Sequence, residues 1–232
     1  MSASRTARER VRAELIREIT DIARRHLAVD GATGLSLRAV AREMGMVSSA
    51  IYRYFPSRDD LLTALIIDGY NALGEAVEKA EATRARDDFT GRWLAVCRAV
   101  REWALAHPHV YALLYGSPVP GYRAPDDTIA PAARDTAVFG QIVGDAVAAG
   151  RLNPPAILPE PPAIISSDAD AVRTLIPGAS DDVISRAVTA WTCLYGMVSF
   201  ELFGQFNNTI EHRAEFFEHN MTGLARLLGL PA

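Results

Sequence analysis

Hydroxyl, phenol and guanidinium side chains are concentrated between residues 48 and 58. Hydroxyls and phenols can donate to phosphate oxygens, and a guanidinium can bind a phosphate or the edge of a base in the major groove of DNA. The spacing of these groups therefore predicts a DNA-contacting surface. The candidates for it are Ser48, Ser49, Tyr52, Arg53, Tyr54 and Arg58.

Four residues of this stretch have alternative structural roles. Ser48 could cap a helix as readily as it could touch DNA. Tyr52 and Tyr54 could be core aromatics, but their hydroxyl groups need a wet or anionic partner, which favours phosphate contact. Phe55 has no polar atom, and we expect it in the core.

A helix, a turn and a second helix between residues 37 and 55 would position these side chains. Apolar residues recur at the spacing of two packed helices, and Gly45 lies between them, where a residue that tolerates positive φ relieves strain in a sharp turn. The two apolar faces are Leu37, Val40 and Ala41 on the first helix, and Ala50, Ile51 and Tyr54 on the second.

The flanking residues supply helix starts and further cations. Ser36 is the predicted N-cap of the first of these two helices and a further DNA-contact candidate, while Pro56 ends the second. Ser57 is the predicted N-cap of the next helix, whose N-terminus carries Arg58 as a candidate phosphate clamp. An arginine-rich arm precedes the motif (Arg5, Arg8, Arg10 and Arg12); we favour a solvated face for it, the alternative being an arm that tracks DNA, with Arg5 as the candidate contact.

The run GLSLRAVAREMGMVSSAIYRYFPSRDDLLTALI resembles the DNA-binding half of the TetR (tetracycline repressor) family. That family's signature is Tyr-x-aromatic-Phe-x-Ser/Asn-Lys/Arg-acid-x-Leu, and the matching residues are Tyr52, Tyr54, Phe55, Ser57, Arg58, Asp59 and Leu61. Arg58 stands where lysine is more usual, which keeps the charge but changes the geometry toward phosphate. The resemblance implies an all-α protein with a three-helix DNA-binding domain at residues 1–56 and a larger helical effector-binding and dimerisation domain at residues 57–232.

Charge is unevenly distributed along the 232 residues. Residues 1–60 carry eleven arginines against eight acids, whereas the remainder is net negative, so the basic charge coincides with the motif. No apolar run approaches a membrane span and the N-terminus has no hydrophobic signal core, so we expect a cytoplasmic protein with no membrane partner. Cys97 and Cys193 lack metal-ligand spacing, and we expect both to be buried, reduced thiols.

Apolar periodicity predicts further helices at residues 57–85, 87–106, 132–149, 181–205 and 209–228. Residues 117–131 read as a loop and residues 153–178, which contain six prolines, as mainly irregular. We interpret the His107-Pro108-His109 step as a helix break. Core packing is the better expectation for each apolar or amphipathic side chain taken alone, but together they are the candidates for an effector pocket: Trp93, Cys97, Trp103, Tyr111, Tyr115, Phe139, Trp191 and Tyr195.

The second half contains WALAHPHVYALLYG and WTCLYG, which look like the C-terminal class named for a Trp-His-Gly element. Trp191 and Gly196 fit, whereas Tyr195 stands where histidine is usual. The strongly apolar helix from residue 181 needs cover on several sides. The TetR resemblance implies that it pairs, with the last helix, into an intersubunit four-helix bundle.

The preferred function is a homodimeric regulator, most simply a repressor, that leaves a palindromic double-stranded DNA operator when a small apolar or aromatic effector binds. One alternative is a constitutive DNA-binding protein without an effector. Another is a helical enzyme, against which no Ser-His-Asp set, phosphate loop or carboxylate pair stands at diagnostic spacing. We expect no cofactor and no metal, and we interpret His212, Glu215 and His219 as a solvated or interfacial group.

Overall fold

The computed structural model describes residues 2–162 and 169–231, with the side chains of residues 2–6 and 171 outside this description. The described residues are helical and contain no strand, which confirms the all-α prediction. The helices are α1 (Ser2–Gly34), α2 (Leu37–Glu43), α3 (Ser48–Ile51), α4 (Arg58–Glu81), α5 (Phe89–Ala106), α6 (Pro108–Tyr115), α7 (Ile129–Ala132), α8 (Arg134–Ala148), α9 (Asp170–Arg173), α10 (Asp181–Leu202) and α11 (Arg213–Leu228), with a 3-10 turn at Asp126–Thr128.

The chain divides into two compact units. The first contains residues 1–71 and 107–131, and the second contains residues 72–106 and 132–232. Helix α4 therefore contributes its first part to one unit and its last part to the other. The functional division at residues 56 and 57 remains a prediction.

The first unit has its own hydrophobic core beneath the helix-turn-helix. Ile19, Ile22 and Ala23 of α1 pack with Val40 and Ala41 of α2, and α3 adds Ile51. Gly45 has φ +67° in the turn between α2 and α3, a left-handed conformation that glycine adopts without a steric penalty. Helix α4 completes this core with Leu61, Leu62, Leu65 and Ile66.

Helix α1 extends further in both directions than the predicted first helix. Gly31 has φ 68° and ψ 177°, which interrupts the helical geometry at the stop signal read from Asp30-Gly31. At the other end the arginine-rich arm is helical as well. The arm is therefore a continuation of a core helix, which limits the directions in which its side chains can point.

Helices α5, α8, α10 and α11 form the second unit, in which α10 contacts all three of the others. Cys97 is buried as predicted, but Cys193 is exposed, so the expectation of a buried thiol there was wrong. Cys193 lies on the side of α10 that the other helices of the chain leave open, whereas Leu194 is fully buried beside it. The helical pattern gave no way to choose between these adjacent positions.

By length and composition alone, α10 could cross a membrane, contrary to the expectation that no run approaches such a span. The core helix of a soluble protein passes the same test. Here the stripe of Val183, Leu194 and Val198 is buried against other helices of the unit. The measure is therefore weak evidence for a membrane.

Candidate DNA-binding surface and effector cavity

Helix α3 and the turn after it carry the exposed polar candidates. Ser48 and Ser49 are exposed in the first turn of α3, and the N-cap position is Val47, so Ser48 does not cap this helix. Tyr52 is 42% exposed although its ring is large and apolar. Arg53 is exposed as well. These four side chains are available to a DNA groove.

Tyr54 is half-buried and packs against the core of the first unit. The guanidinium of Arg12 lies over its ring, 5.3 Å from the ring centroid. Phe55, only 6% exposed, is a core residue as predicted. Adjacent aromatics therefore divide their roles, with Phe55 anchoring the turn and Tyr54 at the boundary between the core and solvent.

Arg58 makes several contacts within the protein. Its Nη2 donates to the Ala32 carbonyl at 2.6 Å and its Nε to the Leu35 carbonyl at 3.2 Å, while its Nη1 lies 3.5 Å from Asp59. These bonds tie the start of α4 to the connection between α1 and α2. They compete with the phosphate contact predicted for Arg58, which stays a prediction.

The two predicted serine caps differ in detail. The Ser36 hydroxyl accepts from the Ala39 amide at 3.4 Å, and the residue is half-buried, so it acts as the N-cap of α2. The Ser57 hydroxyl accepts from the Asp60 amide at 3.1 Å and donates to the Asp60 carboxylate at 2.7 Å. Arg5, the remaining DNA-contact candidate, has its side chain outside the described residues.

An apolar cavity of about 310 Å³ lies within the second unit. Three of the predicted pocket residues, Trp93, Phe139 and Trp191, line it, and the rings of Trp93 and Phe139 meet edge to face at 5.5 Å. The rest of the lining is Thr136, Gly140 and Val143 from α8, Val172, Leu175 and Ile176 from α9 and the residues after it, Ala187 and Val188 from α10, and Leu228 from α11.

The other predicted pocket residues are not in this lining. Cys97 is fully buried, which raises the pKa of its thiol well above the ordinary value, and Trp103 is 8% exposed. Tyr111 and Tyr115 belong to the first unit, where Tyr115 meets Tyr70 edge to face at 6.1 Å. Tyr195 stacks on Trp191 behind the cavity wall, with ring centroids 5.6 Å apart.

A buried acid beside the cavity was not anticipated from the sequence. Asp135 is 3% exposed and accepts a hydrogen bond from the hydroxyl of Tyr195. Burial raises the pKa of the Asp135 carboxyl, and the bond from Tyr195 offsets only part of that rise. Thr136, the next residue, lines the cavity, so this pair lies directly behind its polar edge.

Sequence reasoning missed most of the cavity wall. The positions of Phe139 and Val143, four apart on α8, were a usable signal because residues at that spacing share a helix face. Gly140 gave no such signal, since its role depends on the backbone of Leu175, whose carbonyl oxygen would lie 2.9 Å from a Cβ at Gly140. Nor does any local pattern pair Asp135 with Tyr195, 60 residues away.

Both halves of the chain match models of one class of two-part helical DNA-binding regulators. Residues 19–65 match the model for bacterial regulatory proteins of the tetR family. Residues 93–224 match a tetracyclin repressor-like C-terminal domain. The chain belongs to the TetR family of transcriptional regulators, and its helix-turn-helix is the DNA-binding element.

Individual relatives agree with this assignment. The HTH-type transcriptional regulator Rv1816 of Mycobacterium tuberculosis is 43% identical over 209 residues, covering 87% of this chain and 85% of its own length. A crystal structure of a regulatory protein, SCO4313, is 37% identical with a TM-score of 0.76, covering 93% of this chain and 97% of that one. The TetR family transcriptional regulator PfmR from Thermus thermophilus, 16% identical, shares the fold with a TM-score of 0.56, covering 92% of this chain and 99% of that one.

These findings indicate a transcriptional regulator rather than an enzyme. Among the described residues, no group of three or more His, Cys, Asp or Glu side chains could hold a metal ion. His212, Glu215 and His219 are exposed. Membership of the Trp-His-Gly class remains a prediction, since the matched C-terminal model carries a more general description.

The raised pKa of Asp135 predicts a pH-dependent cost to folding. A carboxyl whose folded-state pKa is raised contributes stability below its unfolded pKa, near the ordinary 3.8, and that contribution is lost as the pH rises through the folded-state value. We expect Asp135→Asn, which keeps an acceptor for Tyr195, to gain in thermal midpoint relative to the unmodified protein as the pH rises from 4 to 8.

The control is Asp127→Asn, since Asp127 is exposed. Its thermal midpoint should follow that of the unmodified protein at every pH. Parallel curves for Asp135→Asn and the unmodified protein would contradict a role for the buried carboxyl.

Proposed function

We propose that this regulator is a homodimeric, effector-responsive repressor that binds a palindromic operator and leaves it when a small apolar molecule enters the second unit. The observation that carries the proposal is the apolar cavity beside Trp93, Phe139 and Trp191. A constitutive DNA-binding protein would have no need of such a space, and close packing of its core would be more stable.

The lining argues for the chemistry of the effector. Among the described residues that line the cavity, none is charged, and Thr136 is the one with a hydroxyl. An ionised ligand would lose its hydration there without gaining a charged partner, which is costly. The volume of about 310 Å³ suits a compact molecule, and the indole and phenyl rings favour one with an aromatic or alicyclic body.

Helix α8 offers a route from the cavity to the DNA-binding unit. Its Phe139 and Val143 line the cavity, and its Arg134 pairs with Glu78 of α4 at 2.6 Å. The same α4 continues into the core of the first unit through Leu61 and Leu65. An effector that displaces α8 would therefore act on the helix that carries the recognition element, to the extent that it binds one conformation better than the other.

Exposed apolar residues on α10 and α11 support dimerisation through the last two helices. Phe200 is 51% exposed, Phe203 44% and Phe216 37%. A groove between these helices is lined by Met197, Phe200 and Leu224, among others. Contiguous apolar surface of this kind marks a protein contact, and a second copy of the chain would bury it. The proposed setting is the cytoplasm, where the operator DNA lies.

Operator binding tests the function directly. Selection of bound duplexes from a random pool should return a palindromic consensus with half-sites about one helical turn apart. On that site, Tyr54→Phe should bind roughly tenfold more weakly, because it loses only the hydroxyl that reaches a phosphate. Tyr122→Phe is the matched control, since the Tyr122 hydroxyl bonds to Thr63 at 2.9 Å; equal affinities for the two variants, or a consensus without symmetry, would contradict the assignment.

Filling the cavity should separate effector binding from DNA binding. We expect Ala187→Trp to weaken binding of the neutral fluorescent dye N-phenyl-1-naphthylamine at least about tenfold, because the indole would occupy the space, while operator affinity stays within about twofold. Ala149→Trp, at the exposed end of α8, should leave both unchanged. Unimpaired dye binding by Ala187→Trp, measured by fluorescence titration, would exclude this cavity as the site.

A charge on the open face of α10 should break the dimer. Phe200→Asp would bury an unpaired carboxylate in the proposed interface, which is strongly unfavourable, so sedimentation velocity at micromolar concentration should give a monomer. Val29→Asp is the matched control, because Val29 is 83% exposed on α1. The proposed interface would be wrong if Phe200→Asp sedimented as a dimer.

A further inference from the structure

Arg12 joins the first helix of the chain to the end of the recognition helix. Its Nη1 and Nη2 each lie 3.4 Å from the backbone carbonyl of Arg53, to which both can donate. Its Cζ lies 5.3 Å from the ring centroid of Tyr54. One guanidinium therefore contacts a main-chain acceptor and the face of an aromatic ring in adjacent residues.

The segment that Arg12 contacts has little other support. Helix α3 is a single turn, and an isolated turn of helix is unstable because nucleation is costly. The turn after it rests on two short-range bonds, from the Arg53 amide to the Ala50 carbonyl at 3.2 Å and from the Tyr54 amide to the Ile51 carbonyl at 2.9 Å. The side chains of Tyr52 and Arg53 are exposed and add little buried area.

Helix α1 provides a firm base for the contact. Ile16 packs on the core of the first unit and Ile19 is fully buried within it. Arg12 lies four residues before Ile16 on the same helix face, so the core fixes the direction in which its side chain leaves the helix. The planar guanidinium can then stack on a ring and present its N–H groups to a carbonyl, which a lysine ammonium cannot do in the same way.

We propose that Arg12 is a positioning residue of the DNA-binding surface. It holds the Tyr54 ring and the turn at residues 52–55 in the conformation that meets the phosphate backbone, and it does not itself bind phosphate. This role differs from that of an arginine arm tracking DNA, because the flat face and both terminal nitrogens are directed at the protein. The effect on affinity rests on the proposed Tyr54 contact, whereas the effect on the order of the turn does not.

Hydrogen exchange of the free protein tests the effect on order without DNA. In Arg12→Ala, the amides of Arg53, Tyr54 and Phe55 should exchange roughly fivefold faster, because a cation–π contact and a hydrogen bond to the turn are lost. Arg17→Ala is the control, since it removes the same charge from α1 at a residue whose Nε donates to Ala13 within its own helix. Equal exchange rates in the two variants would overturn the proposal.

Operator binding tests the route by which Arg12 acts. Arg12→Ala should weaken binding roughly fivefold to tenfold relative to Arg17→Ala, with the same slope of log affinity against log salt. Arg12→Lys should be nearly as weak, and Arg12→Ala should cost little more in a Tyr54→Ala background, because the two residues act as a unit. A slope smaller by about one per contact, with rescue by lysine, would identify Arg12 as a phosphate ligand and overturn the proposal.

The two experiments also separate this proposal from the proposed function. Should Tyr54→Ala bind the operator normally, the Tyr54 contact fails, and the exchange rates alone then decide whether Arg12 orders the turn.

Discussion

The buried guanidinium of Arg92 fixes where three helices of the second unit meet. It has no exposure to solvent, and its Nε donates to Glu81 of α4 at 2.6 Å while its Nη2 lies 2.7 Å from an Asp145 carboxylate oxygen of α8. Its Nη1 donates to the Arg86 carbonyl at 2.9 Å. Because an unpaired buried charge is very unfavourable, separating any of these helices would expose the fold to that cost.

This constraint gives α8 two edges of opposite character. One edge is ionic and holds α4 through Arg134 and Asp145, and the other is apolar and forms the cavity wall through Phe139 and Val143. Ionic contacts with fixed geometry resist sliding, whereas an apolar wall can repack around a guest. In the proposed mechanism a guest entering at the soft edge would therefore be felt as a movement of the helix and its ionic partners together.

The sequence was most informative where function depends on local pattern. Gly45, the Ser36 cap and the core positions of α2 and α3 all follow from neighbouring residues, and the helix-turn-helix was predicted from them. Arg58 shows the limit of that reasoning, because the carbonyls of Ala32 and Leu35 that its guanidinium meets are brought to it by the fold. Tyr111 and Tyr115 show it again, since spacing along a helix does not reveal which core that helix joins.

Helix α4 has a consequence for how regulators of this kind can be recombined. A fragment cut after Phe55 would lose Leu61, Leu62 and Leu65 from beneath the motif, and with them a large part of its apolar floor. Leu113, Leu114 and Tyr122, which return to the same core from a later part of the chain, would be lost as well. The DNA reader is thus a discontinuous module, and exchanging it between relatives requires two separate stretches of sequence to be grafted together.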